Sequence, residues 1–173
     1  MRTRNTILFK ETQYMKGAWV WLLAFAISAV LLVYLIMTYD INGDNKISIN
    51  GLIIMAVLLG IMFFGLFLLF KFMHIKTIIK LDAIEYTYPP FINKARKVNY
   101  EEIVNYEVKK YSPLKDSNGY GITKGSKNPQ NEIYNTSGNI GLFLSLKSGK
   151  SIMLGTQRKQ AIISAMKKMM QEE

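Results

Sequence analysis

Residues 47–70 read ISINGLIIMAVLLGIMFFGLFLLF, 24 positions without one charged side chain. A helix rises about 1.5 Å per residue, so about 20 residues cross a hydrocarbon core of about 30 Å. A soluble helix of this length turns a polar face to water, and none can be drawn here. The stretch predicts a membrane span, taken as residues 50–70. Toward the N-terminus, residues 17–39 (GAWVWLLAFAISAVLLVYLIMTY) are charge-free over 23 positions and predict a second span. That run is too long for a signal-peptide core and follows 16 residues of leader, so cleavage is not expected. Its small residues Ala24, Ala26 and Ser28 lie in mid-segment. The expected organisation is a leader at 1–16, a membrane α-helical hairpin with its loop at 40–49, and a β-rich soluble domain at 71–173.

Charge sets the orientation. The leader carries Arg2, Arg4, Lys10 and Lys16 against Glu11, and the loop carries Lys46 against Asp40 and Asp44. Lys71, Lys76 and Lys80 follow the second span. Cytoplasmic flanks are enriched in Lys and Arg, so both termini are expected in the cytoplasm and the loop outside. Trp19 and Trp21 near one end of the first span, and Tyr34 and Tyr39 toward the other, fit aromatic belts. Arg2, Arg4, Lys10, Lys16, Lys71, Lys76 and Lys80 are the candidate contacts with an anionic membrane surface. The rest of the chain stays basic, with 17 Lys and Arg against 9 Asp and Glu over residues 71–173. These charges are scattered rather than striped on one element, which argues against nucleic acid as partner.

Two-residue alternation dominates residues 71–155 and predicts short strands. Ile79 and Leu81 precede a turn at Asp82-Ala83, and Ile84, Tyr86 and Tyr88 then share one face. Pro89-Pro90 ends that strand. A turn at Asn93 to Lys97 is expected to lead into Val98-Asn99-Tyr100. Val104, Tyr106 and Val108 follow, then a glycine-rich stretch with one strand around Tyr120 to Lys124, then Ile133-Tyr134. Leu142, Leu144 and Leu146 alternate up to a hairpin turn at Ser148-Gly149-Lys150, with Ile152 and Leu154 beyond it. Thr156 is a candidate N-cap for an amphipathic helix at about 157–170, where Ile162, Met166 and Met169 recur at helical spacing. About seven strands and one helix result.

Candidate chemistry is sparse. There is no cysteine, so disulfides and thiolate metal sites are excluded. Asp40, Asn42, Asp44 and Ser48 match part of a calcium loop. Asn45 stands where glycine is needed and Gly51 where a bidentate acid is needed, so the segment reads as a polar turn without calcium. His74 is the one histidine and reads as interfacial packing. Glu101-Glu102 reads as a solvated turn rather than an acid–base pair. Gly138, Gly141, Gly149 and Gly155 do not form a phosphate loop and read as hairpin and bulge glycines. Ala24 and Ser28, and Ala56 and Gly60, are small-residue pairs that let helices approach. No catalytic residue, cofactor site or metal site is expected, and the chain does not read as an enzyme.

Five runs occur in order: Lys110-Tyr111-Ser112-Pro113-Leu114, Gly119-Tyr120-Gly121-Ile122, Tyr134-Asn135-Thr136-Ser137-Gly138-Asn139-Ile140-Gly141-Leu142, Gly149-Lys150, and Leu154-Gly155-Thr156-Gln157-Arg158. In these the chain resembles bacterial two-helix membrane proteins with a pleckstrin-homology-like (PH-like) domain, of the kind common in Bacteroidetes. Members of that family often carry a Trp where this chain has Tyr120. The resemblance implies a seven-stranded barrel or sandwich capped by the C-terminal helix, in a multi-pass protein of the bacterial inner membrane. It implies no catalytic residues. The short Asp82-Ala83 turn, with Glu85 nearby, argues against specific phosphoinositide capture. The expected role is an interaction module that binds a protein partner, its own copies or the inner leaflet. The alternative is a small transporter or channel component or accessory subunit, which the charge-free spans disfavour.

Overall fold

The computed structural model describes residues 6–15, 24–30, 32–34, 49–116, 119–125 and 130–171. It divides into two compact units, one of Lys16–Lys71 and one that joins Met1–Met15 to Phe72–Glu173. The first is thus an insertion within the second.

The inserted unit contains α1 (Ala24–Tyr34, helical at 24–30 and 32–34) and α2 (Ile49–Phe72). The rings of Phe25 and Phe63 meet edge-on at 5.5 Å, so the two helices touch. Ser28 Oγ donates back to Ala24 O at 2.9 Å, a local bond that occupies this small-residue pair. At Gly60 a Cβ would meet nothing within 4 Å, so that position of α2 packs against nothing described. Among the described residues one helix, over Ile53–Phe72, is long and apolar enough to cross a membrane, and none of it is buried. Trp19, Trp21, Tyr39 and the loop at 40–48, with its partial calcium pattern, lie outside the described residues.

The other unit is β-rich, with two sheets. The first is antiparallel in the order β1 (Ile7–Tyr14), β2 (His74–Lys80), β3 (Ala83–Tyr88), β4 (Ile92–Asn99). A 3-10 turn at Tyr100–Glu102 leads to the second sheet. Its strands in chain order are β5 (Ile103–Lys110), β6 (Gly121–Lys124), β7 (Asn131–Asn135), β8 (Ile140–Leu146) and β9 (Ser151–Gly155). Their spatial order is β5-β8-β9-β7-β6, antiparallel except for the parallel pair β7–β9. A short α3 (Pro113–Asp116) precedes β6, and α4 (Lys159–Gln171) ends the chain. No described pairing joins the two sheets, so no barrel closes.

Alternation explains the core. In β2, Ile75 and Ile79 are buried while Lys76 and Lys80 are only half-buried. Ile84, Tyr86 and Tyr88 continue the inner face in β3, and Leu142, Leu144, Ile152 and Leu154 supply it from the second sheet. α4 lays Ile162, Ala165, Met166 and Met169 into this core, and each large side chain contributes about 1.5–3 kcal/mol by leaving water. The methionines are core filler, as their spacing predicts.

Four sequence expectations need correction. Residues 7–14 of the expected leader form β1 (ILFKETQY), in which Ile7, Phe9, Thr12 and Tyr14 favour strand and which pairs with β2 over its whole length. The expected turn at Asn93–Lys97 is the body of β4, held in register by Glu85↔Lys97 and Tyr86↔Arg96. Eight strands rather than about seven are described in residues 71–173, β1 adds a ninth, and of the expected barrel or sandwich no barrel closes: the strands form two open sheets. The C-terminal helix starts at Lys159, and Thr156 Oγ1 accepts the Arg158 N–H at 3.1 Å just before it.

Candidate functional site

Paired strand residues share a face, and side chains alternate along each strand. The register therefore puts Lys10, Thr12 and Tyr14 of β1 on the outer face with His74, Lys76, Ile78 and Lys80 of β2. One row across the sheet runs Lys10, Ile78, Glu85, Lys97, and the next runs Thr12, Lys76, Thr87. Three basic residues from two distant stretches of chain, Lys10, Lys76 and Lys80, thus meet on one surface. Of the other candidate membrane contacts, Lys71 lies in the last turn of α2 in the inserted unit, and Arg2, Arg4 and Lys16 lie outside the described residues.

The three lysines are not equivalent. Lys80 Nζ lies 2.7 Å from Glu85 Oε1 and is neutralised there, with both side chains largely covered. Lys97 Nζ lies 3.3 Å from Asp82 Oδ2. Lys10 and Lys76 have no acidic partner among the described residues. Their ammonium groups are the ones left to attract an external anion. Beside them His74 packs on Tyr14, ring centroids 5.3 Å apart, and its Nδ1 lies 2.8 Å from Phe72 O.

The same strand presents the opposite chemistry inward. Glu11 and Gln13 are buried on the inner face, a placement that charge counting missed. Thr156 Oγ1 donates to Glu11 Oε2 at 2.7 Å and the Gln157 N–H donates to Glu11 Oε1 at 3.0 Å. Gln13 Nε2 donates to Gly155 O at 2.7 Å. One carboxylate thus gathers the chain entering α4, where the helix N-terminus favours negative charge. The only sequence signal for it was the strand-favouring Ile7, Phe9, Thr12 and Tyr14 around these polar residues.

Tyrosines line the space between the sheets. Tyr88 OH donates to Asn135 O at 3.0 Å, and burial pushes its pKa up to about 12. Tyr86 lies against Tyr134 with ring centroids 4.9 Å apart. Tyr134 OH donates to Glu132 and accepts from Arg96 Nη1, which also pairs with Glu132. Burial first, and the bond to Glu132 second, raise the Tyr134 pKa. This cluster bolts β3 and β4 to β7.

The other sequence candidates stay apart. Glu102 Oε1 accepts from Asn99 Nδ2 at 2.6 Å in an exposed turn, with no histidine beside it. Gly149 has φ +80° in the β8–β9 hairpin, where the Gly149 N–H bonds Leu146 O. Gly141 and Gly155 are not bulge residues. They face each other in regular register, and a Cβ on Gly155 would come within 3.3 Å of the Asn135 backbone. A cavity of 240 Å³ opens on the second sheet over Ile133, Phe143 and Met153, with Tyr111 as one wall. Lys109 at its rim is engaged with Glu107 and the Phe143 ring. No protein-family model, curated protein or solved structure matches the chain.

Proposed function

We propose that the chain is a membrane-anchored interaction module whose β unit sits on the cytoplasmic side and contacts the inner leaflet through the outer face of β1 and β2. The observation that carries this is the pairing of Tyr14 with His74, followed by a bond from the Met15 N–H to Met73 O at 3.3 Å. The inserted segment leaves and re-enters the β unit at one point. If α2 crosses a bilayer, the chain must cross back, and residues 17–39 are the stretch able to do it. An even number of crossings puts β1 and β2 on one side. An apolar helix with no polar face has no stable place in water, which supports the bilayer as its surroundings. The excess of Lys and Arg on the flanks supports the cytoplasm as that side.

The PH-like reading is supported by a four-stranded sheet, a second sheet and a C-terminal helix packed in the core, while the parallel β7–β9 pair departs from an all-antiparallel plan. Lys10 and Lys76, without an acidic partner among the described residues, support an anionic surface as partner, since each basic group near such a leaflet contributes about 1 kcal/mol. Nothing in the described helices favours the transporter alternative.

The test reconstitutes the full chain in vesicles with and without anionic phospholipid. A label on Thr12→Cys, between Lys10 and Lys76, should be shielded from an aqueous quencher only with anionic lipid, and high salt should reverse this. Shielding that ignores lipid charge, or persists in Lys10→Glu/Lys76→Glu, would refute leaflet contact through this face.

A further inference from the structure

The β3–β4 turn, Pro89-Pro90-Phe91, projects Phe91 into solvent at 61% exposure. In the register, β2 pairs Lys76 with Thr87 of β3 and His74 with Tyr14 of β1. The turn after Tyr88 is therefore level with Tyr14 and His74, at the end of the sheet where the chain passes into and out of the inserted segment. Two further aromatic side chains are exposed where the chain makes these passages, Tyr14 at 60% and Phe72 at 60%. Strands lie about 4.8 Å apart, so Tyr14 and Phe91 stand roughly 15 Å apart along this end. At the opposite end the exposed apolar side chain of β1 is aliphatic, Ile7 at 54%. There the β2–β3 turn buries Leu81, and the Tyr100 N–H bonds Asp82 O to draw in the polar turn of Glu101 and Glu102.

Aromatic side chains at one level, with lysines set just behind them, match the chemistry of a membrane interface. Lys76 is one row from the turn, and Lys94 lies two residues beyond Ile92 at the start of β4. Neither has an acidic partner among the described residues. We propose that Phe91 enters the headgroup–acyl boundary of the bilayer, giving the β unit a third attachment besides its two chain connections. The partner is the lipid surface itself. Phe91 takes the apolar boundary, while Lys76 and Lys94 meet anionic headgroups. Three points fix the tilt of a rigid body over a plane, where two leave it free to rock about the line between them. This inference rests on the membrane reading above.

The absence of native cysteine allows single labels in the full chain. Environment-sensitive probes go on Asn93→Cys beside the turn, Ile61→Cys in α2 and Glu101→Cys at the far end. The protein is reconstituted in anionic vesicles with nitroxide lipids quenching at the headgroup boundary or at the chain ends. The Asn93 probe should be quenched by boundary nitroxides, the Ile61 probe by deep ones and the Glu101 probe by neither. Adding Phe91→Asp should abolish quenching at Asn93 and leave Ile61 unchanged. Quenching at Ile61 with Asn93 no different from Glu101, or an Asn93 signal indifferent to Phe91→Asp, overturns the proposal and spares the membrane reading. No quenching at Ile61 overturns both.

Discussion

Glu11 precedes Thr156 by 145 residues, yet its carboxylate takes the Thr156 hydroxyl and the Gln157 N–H. A buried donor stripped of its acceptor costs about 1–3 kcal/mol, so Glu11→Ala should lower stability by that order. Glu11→Gln keeps the shape and one acceptor oxygen and should cost less. Thermal unfolding of the full chain in detergent reads both, and an unchanged midpoint for Glu11→Ala would show the bonds carry nothing. Tyr88 sets a pH limit. Its folded pKa lies at about 12, above the ordinary value of 10.0, so the folded state holds its proton after the unfolded state releases it. Its contribution is intact below pH 10 and is lost as pH rises toward 12. Tyr88→Phe should flatten the fall in stability over that window, as an unfolding series at alkaline pH would reveal. It should also lose the bond to Asn135 O, at a cost of about 1 kcal/mol at neutral pH. An equally steep alkaline loss in Tyr88→Phe would shift the cause to Tyr86, Tyr111 and Tyr134, whose pKa values are also raised. The inward-facing tyrosines were legible in the alternation of Ile84, Tyr86 and Tyr88. Glu11 was not, because a buried acid among polar neighbours leaves no hydrophobic trace.

β1 is the element on which the architecture turns. Among the described residues it is an edge strand bonded to β2 alone, yet its inner face reaches β9 and the chain entering α4. Because Met15 and Met73 already lie side by side, a chain in which residues 16–72 are replaced by Asn-Gly should close as an ordinary hairpin. It should fold without detergent and unfold in one cooperative transition, followed by circular dichroism. Removing residues 1–15 from that chain should abolish the transition. A cooperative fold without β1 would demote the strand to decoration. The strands of the second sheet were largely readable, since Leu142, Leu144 and Leu146 alternate cleanly around a Gly149 turn. β1 was hidden because its basic residues suggested a membrane flank and two of its three inward positions, Glu11 and Gln13, are polar. β4 was hidden because four of the five residues Asn93-Lys94-Ala95-Arg96-Lys97 are hydrophilic. An edge strand with five exposed positions in a row needs no apolar face, and its lysines keep the edge from pairing with other chains.

At the scale of the whole molecule, a β unit is interrupted by an apolar helical insertion, and the two cut ends are neighbours in one sheet. The apolar runs were plain in the sequence. What no hydropathy pattern carries is that the segments before and after them are one folding unit, because pairing between residues 7–14 and 74–80 is a long-range choice made by packing. That pairing turns a count of charges into a geometric demand, since both flanks must lie on the same side of any membrane α2 crosses. Accessibility of single cysteines to a membrane-impermeant thiol reagent in intact cells tests the demand most directly. Asn42→Cys should react from outside, while Lys10→Cys and Lys150→Cys should react only after the membrane is opened. Lys10→Cys and Lys150→Cys reacting from opposite sides, or Asn42→Cys protected together with both, would contradict the account.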